Sequence, residues 1–272
     1  MSERLQKLLA SSGIGSRRQV EELIRQGRLT VNNIPAQLGI RINGDDQIKI
    51  DGKKLNLNQQ KCMILAYHKP VGEITTRHDT MWRPTVFKSL PILQSGRWVV
   101  VGRLDINTQG LLLFTTDGEL ANRLMHPKYR VEREYAVRVL GPLSQGNIQR
   151  LLSGIVLEGR LARFDRIIKV GGNGINNWYQ VILHEGRNRI VRRLLASQGF
   201  LVSRLIRVRY GTVVLRRDLH PGCWEKLDRI QVYKLLASVG YDIISHQARD
   251  RELVSGICSQ YLSSDASTIW SE

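Results

Sequence analysis

The chain has 272 residues and a mass of 31.0 kDa, with 41 Lys and Arg set against 24 Asp and Glu. A hydrophobic share of 42% and a charged share of 24% belong to a folded globular protein, which excludes a disordered chain and leaves room for one or two domains. The net charge of +17 and pI near 10.3 point to a polyanionic partner, nucleic acid ahead of a membrane surface.

The longest apolar run, Cys62 to Tyr67, is far short of a bilayer span. Cys62, Cys223 and Cys258 are widely separated, with no CxxC pair and no zinc-type His/Cys spacing. A cytoplasmic location with reduced thiols and no structural metal is the expectation. The Arg- and Ser-rich start carries Glu3 and reads as two capped helices of a domain rather than as a targeting segment.

In chain order, Leu5, Leu8 and Leu9 form one apolar helix face, broken at Gly13 and Gly15. Ser16 opens a second helix with Gln19 as its capping-box partner; Val20, Leu23 and Ile24 form its stripe, and Gly27 sits at its C-terminal cap. Leu29–Val31 reads as a strand, Asn32-Asn33 as a turn and Gln47–Ile50 as another strand. Arg4, Lys7, Arg17, Arg18, Arg25 and Arg28 cluster on this helical pair. Taken singly, such charges are usually a solvated face. The polar stretch Asn56–Lys61 reads as a linker.

Further on, Trp98–Val101 is a short buried-strand candidate running into Gly102-Arg103-Leu104-Asp105, and Gly110 precedes the apolar run Leu111–Phe114. Thr116-Asp-Gly-Glu119 reads as a capping box opening a helix through Leu120, Ala121 and Leu124. Asp105 therefore lies between two hydrophobic strands. It is either a turn residue capping its own backbone or a nucleophile or general base held in a cleft, and physical reasoning alone leaves both open. Gly186 to Arg217 holds nine arginines and no Asp, Glu or Lys, with Ile190, Val191, Leu194 and Leu195 as a helical stripe ended by Gly199. Such a run is better explained by phosphate contacts than by solvation.

Two resemblances sharpen this. RLQKLLASSGIGSRRQVEELIRQGRLTVNN resembles the S4 RNA-binding domain over about residues 3 to 55. GRLDINTQGLLLFTTDGELANRLMHP resembles the catalytic motif of the pseudouridine synthases. Within that family it is similar to the branch of ribosomal enzymes that holds the A type, for small-subunit RNA, and the B, E and F types, for large-subunit RNA. Tyr67–Gly72, Glu132–Tyr135, Glu185–Arg192 and the segment 202–211 match further motifs in order, and the B type is the nearest pattern.

The resemblance implies an α+β fold: an S4-like domain and linker over 1–60, then a catalytic domain over 61–240 on a mixed, mostly antiparallel sheet. Residues 241–272 match neither pattern and read as a tail. It implies isomerisation of uridine to pseudouridine in ribosomal RNA, large-subunit RNA foremost, by a monomer without a cofactor. Asp105 would be the nucleophile, Arg192 its salt-bridge partner, and Tyr135 the residue packed under the flipped uracil. The expected RNA-contacting set is Arg4, Lys7, Arg17, Arg18, Arg28, Lys69, Arg103, Arg187, Arg189, Arg193, Arg207 and Arg209. The rival readings are a non-catalytic RNA-binding assembly protein on the same scaffold and a hydrolase using Asp105. The hydrolase fares poorly, because phosphodiester hydrolysis usually needs clustered metal-binding carboxylates and no acid lies nearer in sequence than Asp117.

Overall fold

The first helical pair is closed at its ends by the chemistry its residues carry. In the computed structural model, which describes residues 2–55, 62–172 and 174–241, α1 (Leu5–Ser11) ends in a Schellman motif: Ile14 N–H donates to Leu9 O and Gly13 takes φ +89°. Ser16 caps α2 (Arg17–Arg25) by accepting from Gln19 N–H at 3.2 Å, while Gln19 Oε1 accepts from Ser16 N–H at 2.7 Å. The same Schellman closure recurs at Gly27, with Arg28 N–H on Leu23 O. The linker over 56–61, Cys258 and all of the C-terminal tail except Tyr241 lie outside the described residues.

A small antiparallel sheet follows. Asn32 and Asn33 both have positive φ (51° and 68°), which is what a two-residue type I′ hairpin between β1 (Leu29–Val31) and β2 (Ile34–Pro35) requires. β1 also pairs with β3 (Ile48–Ile50), and β3 with β4 (Lys53–Lys54). Leu5, Leu9, Val20, Ile24, Leu29, Val31 and Ile48 form one buried core, with Leu8 and Leu23 at its margin.

The chain then lays down β5 (Ile64–Lys69), β6 (Val99–Val101), β7 (Gln109–Thr115), α3 (Gly118–Met125), β8 (Arg133–Leu140), α4 (Gln145–Ser153), β9 (Arg166–Gly171) and β10 (Asn176–Leu183). After these come α5 (Ile190–Ala196), β11 (Val202–Tyr210), β12 (Val213–Val214), β13 (Trp224–Lys226) and α6 (Arg229–Ser238). Two compact units result. One comprises Met1–Met125 and Arg216–Lys226; the other comprises His126–Leu215 and the described residues from Leu227.

In the first unit, β5 is flanked by β7 and β13, and β6 pairs with Leu113–Thr115 of β7, all antiparallel. Every residue of β5 is buried, which accounts for the apolar run through Tyr67; His68 and Lys69 at its end are buried as well. α3 departs from expectation by one residue. Asp117, rather than Thr116, caps it, accepting from Glu119 N–H at 2.7 Å and Leu120 N–H at 3.1 Å. Thr116 is already committed, its hydroxyl accepting from Met63 N–H at 3.0 Å.

In the second unit the antiparallel order is β9-β10-β8-β11-β12. β10 alternates, burying Asn177, Tyr179, Val181 and Leu183, as a strand with one core face must. β8 bulges against β11 between Glu134 and Tyr135. Among the described residues no helix is long and apolar enough to cross a membrane.

Candidate active site

Asp105 opens a β-turn: its carbonyl accepts from Thr108 N–H at 3.0 Å, in the loop joining β6 to β7. The bland reading of this residue is therefore true of its backbone. What sets the turn apart is how it is braced by the segment that follows β5. Thr75 Oγ1 donates to Leu104 O at 2.9 Å and accepts from Leu104 N–H at 3.3 Å. Gly72 N–H donates to Ile106 O at 2.9 Å. Lys69 Nζ donates to Thr108 O at 2.9 Å and to Pro70 O at 2.8 Å. The carbonyls of residues 104, 105, 106 and 108 are thus all engaged. A turn held at so many points keeps its aspartate within a narrow range of positions.

Lys69 is fully buried, so it cannot meet a phosphate at the surface as expected; its ammonium serves the turn. Burial pushes its pKa down to about 8, while the carboxylates of Glu73 and Asp105 pull the other way. Asp105 therefore has a positive charge within electrostatic reach. Glu73 is held by Tyr67, whose hydroxyl donates to Oε2 at 2.6 Å. Beside them His68 Nδ1 faces Leu219 O at 2.7 Å, and its Nε2 faces Gln109 Nε2 at 3.1 Å. Arg103, next to Asp105, is exposed.

Tyr135 and Arg192 belong to the second unit. Tyr135 is buried on β8 at the bulge, opposite Val181 on one side and Arg207 on the other. A bulge re-aims the side chain that follows it. Arg192 sits in the first turn of α5 and donates to Val202 O at 2.8 Å. α5 begins at Arg189, which has φ +49°, and buries Ile190, Val191, Leu194 and Leu195.

The arginine-rich stretch is less free than its sequence suggests. Arg207 is buried, with its guanidinium 5.0 Å from the Tyr210 ring. Arg209 is tied to Glu134 at 2.6 Å and Glu132 at 2.8 Å, Arg193 to Glu158 at 2.8 Å, and Arg187 to Glu185. Of the helical-pair cations, Arg4, Arg17 and Arg18 are exposed. Arg28 forks onto Asp51 at 2.9 and 2.5 Å, and Lys7 bridges Glu3 and Glu119. Thr75 and Gly72, which brace the turn, escaped the sequence reading, although Gly72 lay inside a segment singled out there.

Comparison with known proteins gives the family. The sequence pattern of the RNA pseudouridylate synthase family matches residues 63–197, and that of the S4 domain matches residues 3–48. A Vibrio cholerae protein named ribosomal large subunit pseudouridine synthase B is 53% identical over 236 residues, covering 85% of this chain and 74% of that protein. Its namesake in Escherichia coli O157:H7 is 53% identical over 236 residues, covering 85% of this chain and 81% of its own. A crystal structure described as a pseudouridylate synthase superposes with a TM-score of 0.60 at 27% identity, covering 85% of this chain and 99% of that one. With half of its residues shared over more than four-fifths of its length, the chain belongs to the ribosomal large subunit pseudouridine synthase B family.

Proposed function

We propose that the protein isomerises uridine to pseudouridine in large-subunit ribosomal RNA, with Asp105 as the nucleophile. The observation that carries this is the Asp105 turn, pinned by Lys69, Gly72 and Thr75 through backbone carbonyls. The reaction breaks the N1–C1′ bond, turns the uracil and joins C5 to C1′; N1 gains a proton and the C5 hydrogen leaves as one. Substrate and product have the same atoms, so no oxidant, reductant or group donor enters. An ionised carboxylate that holds its position is the central requirement, and the Lys69 ammonium lies within electrostatic reach of Asp105.

Tyr135 and Arg192 are the two further residues assigned to the reaction, Tyr135 offering a ring face to the uracil and Arg192 a fixed positive charge. The exposed Arg4, Arg17, Arg18, Arg103 and Arg189 contact RNA phosphates, while Lys69 and Arg207, being buried, act through the shape of the folded chain. The helical pair supplies affinity, and the target uridine leaves its stack at a cost of a few kcal/mol that backbone contacts offset. The protein works as a monomer.

The test is tritium release from RNA labelled at uridine C5, run on large- and small-subunit ribosomal RNA with wild type and Asp105→Asn. Release from large-subunit RNA alone, abolished in the variant while RNA affinity stays nearly unchanged, is the expected result. Undiminished release by Asp105→Asn would remove Asp105 from the mechanism. Absence of release by wild type on any ribosomal RNA would favour a binding protein without the reaction.

A further inference from the structure

Gly13, in the turn between α1 and α2, lies directly against Gly96: a Cβ placed on Gly13 would come within 2.6 Å of Gly96 Cα. The two backbones touch, which brings the start of α2 near the segment Arg97-Trp98. Next to this contact is a hollow of about 250 Å³ lined by Thr75, Arg77, Phe87, Arg97 and Trp98. An adjoining hollow of about 270 Å³ shares Arg77, Phe87, Arg97 and Trp98 in its wall.

The charges here are all of one sign. Arg77 stacks 4.3 Å over the Phe87 ring and donates to Trp98 O. Arg97 has a buried Nε with no hydrogen-bond partner among the described residues. Arg97 also feels the positive charges of Arg77 and Arg17, the first residue of α2, and no carboxylate among the described residues offsets them. Partial desolvation lowers the pKa of both guanidinium groups from the usual arginine value, and for Arg97 the like charges add to the effect. Arg17 and Arg77 are exposed and Arg97 is half-buried, and cations gathered in this way repel one another until an external anion binds between them. By contrast, half-buried Arg209 and Arg193 are paired with acids of the chain, and buried Arg133 donates to the His184 carbonyl and the Tyr210 hydroxyl.

We propose that Arg17, Arg77 and Arg97 form a seat for one phosphodiester of the bound RNA, at the contact between the S4 helices and the strand that leads into the Asp105 turn. This rests on the reading of the protein as an RNA-modifying enzyme and adds to it a phosphate contact outside the arginine-rich stretch. The rigid fork of arginine suits an oxyanion, and the walls leave Arg97 Nε without an acceptor among the described residues.

The test uses the full chain, its Arg97→Met and Arg97→Lys variants, and transcribed large-subunit ribosomal RNA. Binding is measured across a series of salt concentrations, and thermal melts of the free proteins are recorded with and without inorganic phosphate. For Arg97→Met the slope of log K against log salt should become shallower by about 0.7 to 0.9, the loss of one phosphate contact. Affinity at moderate salt should drop about tenfold, as for one charge-assisted hydrogen bond. The free variant should melt higher than wild type, because a half-buried charge that repels Arg77 and Arg17 has gone. Arg97→Lys should keep the wild-type slope.

A lower melting temperature with an unchanged slope would overturn the proposal, leaving Arg97 a packing residue. If phosphate protects wild type but the RNA slopes of wild type and Arg97→Met coincide, the seat takes the free ion and the RNA assignment fails. Tritium release by wild type, measured alongside, separates the two claims. An active wild type with unaltered Arg97→Met binding refutes the seat alone, whereas an inactive wild type refutes the proposed reaction.

Discussion

Replacing Lys69 with methionine tests how the Asp105 turn is held, because the side chain is nearly isosteric and removes only the ammonium. In the folded protein the Lys69 pKa lies at about 8, against the usual 10.5. Between those values the unfolded chain binds more protons than the folded one, so stability rises with pH across this window. Worked from those two pKa values, the gain between about pH 7.5 and pH 9.5 is about 2 kcal/mol. The variant cannot show this gain. It also leaves the carbonyls of Pro70 and Thr108 without a donor, a deficit nearly independent of pH because a neutral amine still donates. Urea unfolding of both proteins at the two pH values isolates the effect, since every other titrating group is common to them. The wild-type advantage should grow by about 2 kcal/mol on raising the pH. Parallel pH profiles would refute the buried, charged lysine and with it the electrostatic support assigned to Asp105.

Other expectations follow from the same contacts. Thr75→Val keeps the shape but removes both bonds to Leu104; turnover in the tritium assay should fall up to about a hundredfold, as for a reactive group displaced by about 1 Å, with RNA affinity retained. Equal loss of affinity would mean that Thr75 serves folding alone. Gly13→Ala places a Cβ against the Gly96 backbone at φ +89°, so the free protein should lose at least about 1 to 2 kcal/mol in urea unfolding. An unchanged midpoint would show that the two backbones are free to part.

Local signals were legible in the sequence. The Ser16–Gln19 box, the Asn32-Asn33 turn, the closure at Gly27 and the stripe of α5 each rest on residues a few positions apart, and each formed as read. The cap of α3 was displaced by one residue because Thr116 and Asp117 can both cap, and only the distant Met63 N–H decides which is engaged. The Asp105 turn was found, yet its bracing was not, since Lys69, Gly72 and Thr75 reach it from some thirty residues away. The same limit explains the arginine-rich stretch. Its lack of local acids suggested free cations, but Glu132, Glu134 and Glu158 arrive from elsewhere in the chain. Lysine and arginine were read as surface residues by type; the positions of Lys69 and Arg207 in the sheets override that preference.

The outer neighbour of β5 has a consequence for synthesis. Trp224–Lys226 pairs with Leu65–Tyr67, and His68 is tied to Leu219, Gly222 and Cys223, all of which emerge from the ribosome long after β5 itself. The S4 core, drawn wholly from Leu5 to Leu55, can assemble as soon as it is made. β5 cannot complete its pairing then. Until the late segment arrives, one of the most apolar stretches in the protein presents an open strand edge, the kind of surface that invites pairing with another nascent chain. A truncation before Arg216 would leave that edge open permanently, so such fragments should aggregate even when both sequence motifs that define the protein are intact.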